Sequence, residues 1–173
     1  MPSGLGTATG HASAVDYFLK IDGIQGESQD HKHKNEIEIL SWSFGAAQGG
    51  TMHVGSGGGA GKVSMQDISF VKTVDKSSPK LFLACCNGEH IKSAVLIARK
   101  AGKDQQEYMK VTLSSILISH FHSSGSGQGG GLPVDEVSLN FAKIEVEYKE
   151  QKADGSLAGV TKVGYDMAQN KAV

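Results

Sequence analysis

The sequence offers little of what usually marks a specialised chemistry or destination. Cysteine occurs twice, as the neighbours Cys85 and Cys86. Bridging adjacent residues is strained, so reduced thiols are expected rather than a disulfide. Neither sign of charge dominates: 17 basic against 18 acidic residues give a net charge of −1. No Lys/Arg run supplies a local basic face, which argues against nucleic acid as a partner. Long hydrophobic runs are missing too. The longest, Leu81 to Cys86, is far too short to span a bilayer, so no membrane insertion is expected. The opening "MPSGLGTATGHASAVDY" has neither a positive first region nor an apolar second one, and so lacks the form of a secretory signal. These absences suit a protein made and folded in the cytoplasm, with residues 1–13 a flexible lead-in and 14–173 a single domain.

Glycine is what the chain has in excess, 23 of 173 residues, concentrated at positions 45–61 and 125–131. Between these clusters a two-residue period dominates. Val15, Tyr17, Leu19 and Ile21 alternate with Asp16, Lys20 and Asp22, the pattern of a half-buried strand. In "EIEILSWSF" Ile37 and Ile39 share one phase, while Leu40, Trp42 and Phe44 share the other. That slip predicts a bulge, or a strand that crosses from one sheet to another. "KVSMQDISFVKTV", "HIKSAVLIARKAG", "EYMKVTLSSILISHFH" and "VSLNFAKIEVEYKE" add longer strands. The last changes phase between Phe141 and Ile144. "ADGS" reads as a turn and "VTKVGYD" as a closing strand.

One segment breaks the pattern. "SSPKLFLACCNG" places Ser78 as N-cap, Pro79 at the first helical position and Gly88 at the stop. Leu81 through Cys86 are apolar all round, so the short helix should be buried or plug a barrel end. The expected fold is mainly β: a two-sheet barrel or sandwich with one short α-helix and a long extended loop.

Several groups invite a chemical reading. "GSGGGAGKVS" resembles a phosphate loop, but Ser56 stands where that pattern needs its first glycine and Val63 follows Lys62 where Ser or Thr should reach magnesium. A strand-like stretch follows instead of a helix. His31/His33 and His120/His122 are each two apart, so either pair would share a strand face and offer two metal ligands. No carboxylate or cysteine at a telling distance supplies a third, and surface histidines are the plainer expectation. Cys85 and Cys86 read as small core residues, with His90 too weakly placed to activate them. No catalytic residue, metal or cofactor is expected.

Residues 45–62 connect two strands over a length compact domains seldom tolerate. Extended, they reach ~59 Å at ~3.3 Å per residue, whereas a domain of this size has a radius of gyration of only ~16 Å. Ordering them costs of order 20–35 kcal/mol of backbone entropy. The segment therefore stays mobile or is ordered by a partner. Gln48, Gly50, Thr51, Met52, His53 and Val54 are its candidate contact residues, with Met52 and Val54 able to add an apolar plug or strand edge to a neighbour.

The blocks "KIDGIQGESQD", "EILSWSFGAAQGG", "GGGAGKVSMQDISFVKTVDKSSPKLFLACCNGEHI", "ARKAG" and "VSLNFAKIEVEYKEQKADGS" closely resemble the haemolysin-coregulated protein (Hcp) family of bacterial type VI secretion. The likeness covers residues 14 to 170, with Phe44 standing where the usual motif has a second tryptophan. It implies a hexameric ring that stacks into a tube, a contractile sheath around it, the spike protein VgrG at its tip and small effector cargo inside. The subunit would be secreted by the machine itself, which accounts for the missing signal. Ser43, and by alternation Ser41, would face the lumen. Toxin activity in such proteins resides in an added C-terminal domain, which this chain is not expected to carry after "GYDMAQNKAV". The competing readings are a monomeric binding module using the glycine-rich arm and a His-pair metal enzyme.

Overall fold

The computed structural model describes residues 15–50, 61–101 and 105–173. The expected lead-in, and the loop candidates Thr51, Met52, His53 and Val54, lie outside them. Eleven strands and one helix follow in chain order. They are β1 (Val15–Ile21), β2 (Ile37–Ile39), β3 (Ser41–Ser43), β4 (Ala46–Ala47), β5 (Ser64–Met65), β6 (Ile68–Thr73), α1 (Ser78–Asn87), β7 (Ile91–Lys100), β8 (Glu107–Ser124), β9 (Val134–Gln151), β10 (Leu157–Asp166) and β11 (Lys171–Ala172).

The main sheet runs β11-β10-β9-β8-β7-β1-β2, all neighbours antiparallel, and β6 and β3 branch from β9. The strand containing "EIEILSWSF" does cross between neighbours. Its first part pairs β1 (Tyr17 with Ile39, Leu19 with Ile37) and its second pairs β6 (Ser41 with Val71, Ser43 with Ser69). Leu40 is the crossing point: its N–H donates to Val71 O at 2.8 Å while its side chain turns outward. The walls are thus joined around one core by a covalent crossover, and the hydrogen-bonded sheet itself stays open.

β8 and β9 form the longest ladder, and both change phase at its middle. Val111 and Leu113 are buried before Ser115 and Ile116 and Ile118 after it. Ser115 holds a left-handed backbone (φ 54°), while the irregularity in this ladder's register falls further along, between Ile118 and His120. Opposite, Phe141 and Ile144 are both buried, and Ala142 O accepts from Met167 N at 2.9 Å. At this kink β9 exchanges β6 for β10 as its second neighbour.

The helix departs from expectation twice. Ser77, not Ser78, is the N-cap, and it makes no side-chain cap; the Ser78 hydroxyl is committed to Asp135 instead. The helix is also not buried all round. Leu81 and Ala84 plug the core, yet Phe82 and Leu83 are 55% and 59% exposed, and Cys86 is exposed as well, not a core residue. Gly88 ends it as read, in the left-handed conformation (φ 63°) with its N–H on Ala84 O.

Candidate functional site

The outer face of β3-β6-β9-β8 is built by the same alternation that packs its inner face. Trp42 points inward, edge-on to Tyr17 at 6.1 Å and stacked on Phe44 at 5.9 Å. Ser41 and Ser43 therefore stand outward and exposed. Register then aligns a polar row across four strands: Ser43 beside Ser69, Ser69 beside Ser138, Ser138 beside His120. Ser69 Oγ and Ser138 Oγ are 2.8 Å apart. With Ser41 and Glu136 these residues line a hollow of about 450 Å³. Beside the row, Asp67 accepts from Ser119 Oγ at 2.6 Å and Asn140 Nδ2 at 2.8 Å. The face is rich in hydroxyls and poor in fixed charge, a wettable wall rather than a grip.

His120 and His122 are both exposed at this end of β8, and His122 lies opposite Glu136. Among the described residues no group of three or more His, Cys, Asp or Glu is placed to hold a metal ion. At the other candidate, the glycine-rich connection leaves the body as a paired ribbon. Ala46 faces Met65 and Ala47 faces Ser64, and Gln66 N donates to Gly45 O at 2.8 Å. Gln48 and Gly50 are exposed just beyond it.

Two buried polar clusters escaped the sequence reading. Lys72 and Asp135, both fully buried, face each other across β6 and β9 at 3.0 Å. Lys72 Nζ also reaches Asp75 at 2.9 Å and Ser78 Oγ at 3.0 Å, which ties the start of α1 to the sheet. Burial alone would raise the Asp135 carboxyl, but hydrogen bonds from Ser78, Ser123 and Lys72, with the lysine charge, hold it below the ordinary range. Alternation carried the signal, since Ile68, Phe70 and Lys72 share one phase and Asp135, Val137 and Leu139 another.

The second cluster corrects the expectation that His33 is a solvated surface histidine. It is buried, with Glu36 at 2.8 Å on Nδ1 and Glu107 at 2.9 Å on Nε2. Its ring stacks on Phe18 at 4.3 Å, and the Arg99 guanidinium lies 4.7 Å from the centre of the Phe18 ring. Arg99 binds Asp30 at 2.7 Å and Asp16 at 3.3 Å. Its hydrogen bond holds the Asp30 carboxyl far below the usual range, against the upward pull of burial, and Asp30 in turn raises Arg99. The segment between β1 and β2 is thereby pinned over the outer face of β1, while His31 stays exposed.

The body is β-rich, with one plugging helix, a two-stranded ribbon at Ala46–Ala47 and Ser64–Met65, and a hydroxyl-lined outer wall. A family model described as "Type VI secretion system effector, Hcp" matches residues 18–148. The chain is 48% identical over 159 residues to protein hcp1 of Pseudomonas aeruginosa, covering 91% of this chain and 98% of that one. Among solved structures, Hcp1 from Salmonella typhimurium is similar at TM-score 0.77 and 42% identity, covering 92% of this chain and 99% of that one. A second, titled a type six secretion system protein, has TM-score 0.88 and 28% identity over 92% and 100% of the two chains. The chain belongs to the Hcp family of type VI secretion proteins. No helix among the described residues is long and apolar enough to cross a membrane.

Proposed function

We propose that this protein is the structural subunit of a type VI inner tube. Copies assemble head to tail into a six-membered ring, and the ring's two unlike faces meet along the axis to give a stack. The contractile sheath surrounds the stack, the spike protein VgrG caps it, and small effector cargo travels inside against the wall carrying Ser41 and Ser43. Made in the cytoplasm, the subunit leaves with its cargo. Its work is mechanical, not catalytic.

The observation that carries the reading is the ribbon at Ala46–Ala47 and Ser64–Met65, with Gln48 and Gly50 exposed at its end. In the assembly, Gln48, Gly50, Thr51, Met52, His53 and Val54 contact a neighbouring subunit, which supplies the enthalpy that offsets the segment's ordering entropy. Light scattering on a gel-filtration peak tests the ring: six-copy mass supports it, and a strict monomer at high concentration favours a binding module instead. Replacing residues 50–56 by a short turn should leave the melting curve unchanged and weaken ring or stack formation. Unaltered assembly would remove the arm from the account.

A further inference from the structure

Three exposed apolar side chains converge on one groove from three separate segments. Leu40 stands at the crossover, Val74 at the exit of β6 and Leu132 at the end of the second glycine-rich loop, exposed by 59%, 39% and 76%. Backbone bonds hold them in place: Leu40 N to Val71 O at 2.8 Å, and Val74 N to Pro133 O at 2.9 Å. The groove is about 290 Å³ and its rim is acidic, with Glu27, Glu38 and Asp75. Asp75 is taken by Lys72 and Glu27 by the Lys76 N–H. Glu38 is exposed and makes no ion pair among the described residues. A fixed apolar cluster beside an exposed carboxylate without an ion pair among the described residues is a contact surface in waiting.

Its complement is carried by the same chain. On α1, Phe82 and Leu83 are exposed although Leu81 and Ala84 lock the helix to the core. An edge contact with Phe121 at 5.7 Å orients the Phe82 ring. Lys80, one turn before Leu83, is exposed and makes no ion pair among the described residues. Apolar meets apolar, and lysine meets glutamate.

We propose that the Lys80–Phe82–Leu83 face of α1 docks into the Leu40–Val74–Leu132 groove of a second copy, with Lys80 against Glu38. The two surfaces are unlike, so the contact is head to tail and each copy keeps one free half for the next. This rests on the ring reading and names the surfaces that would make it.

Complementation of single-site variants tests the pairing. Leu132→Glu spoils the groove and leaves the helix face intact; Phe82→Glu does the reverse. Each alone should fall from assembly mass to single-copy mass, with a wild-type far-UV spectrum. An equimolar mixture should form a two-copy species and stop there. Lys80→Glu and Glu38→Lys repeat the logic without touching a packed ring: each weakens assembly and the double swap restores it. Wild-type assembly mass in both glutamate variants, or a charge swap without recovery, overturns the pairing and leaves the ring standing. A wild-type protein that is single-copy at high concentration overturns the ring itself.

Discussion

Removing the charge of Asp135 tests how the helix is fastened to the sheet. Asp135 is fully buried and accepts from Lys72 and Ser78. Asp135→Asn keeps the shape but leaves the Lys72 ammonium, also fully buried, with only Asp75, Ser78 and Thr73 O as partners. Orphaning one member of a buried ion pair costs about 3–5 kcal/mol. Because Asp75 at 2.9 Å retains part of the Coulomb energy, the low end, about 3 kcal/mol, is expected. For a domain of this size that lowers Tm by roughly 6–12 °C. Replacing both partners by apolar residues, Lys72→Met with Asp135→Leu, removes the stranded charge and should recover most of the loss. Guanidinium titration monitored by Trp42 fluorescence measures all three proteins. A single variant within about 1 kcal/mol of wild type, or a double variant no better than the single, would refute the reasoning.

The Arg99 cluster predicts a pH dependence with a definite sign. Asp30 is lowered in the folded state, so its stabilisation is complete above the unfolded carboxyl value of about 3.9 and disappears as pH falls below it. Stability measured from pH 6 down to 2 should decline less in Arg99→Met than in wild type, from a lower starting point; parallel curves would contradict this. Gly26 is the other sensitive position, since a Cβ there would lie 2.5 Å from Glu36 O and 2.7 Å from Ile37 Cα. Gly26→Ala should cost at least about 1 kcal/mol and speed hydrogen exchange over residues 24–36, whereas an unperturbed exchange pattern would count against that packing.

Local alternation made the walls of this molecule legible. The slip at Leu40 foretold a place where a strand changes neighbours, because a reversed face has to be answered by a new partner. The phase change after Phe141 was visible too, and it is there that β9 exchanges β6 for β10. What escaped depended on distant residues. His33 sits in a polar run, and only Phe18 beneath it and Glu107 beyond it make that run a cover rather than a solvated loop. Lys72 and Asp135 were in phase with their apolar neighbours, but a charged residue at the end of a strand ordinarily marks its exit into water. The helix was misjudged for a related reason. Leu81, Phe82 and Leu83 are equally apolar, and composition alone does not say which of them faces the core. Of the wall residues, Ser41 and Ser43 followed from alternation, whereas Ser69, Ser138 and His120 join them only through register.

The crossover at Leu40 couples two seams that would otherwise be independent. β2 cannot slide along β1 without dragging β3 along β6, since one uninterrupted peptide serves both. A slip by a single residue would turn Ile37 and Ile39 out to solvent and Trp42 with them, so neither ladder has an alternative alignment within reach. A body locked in this way resists shear until it fails as a whole, which is what the proposed tube subunit would need.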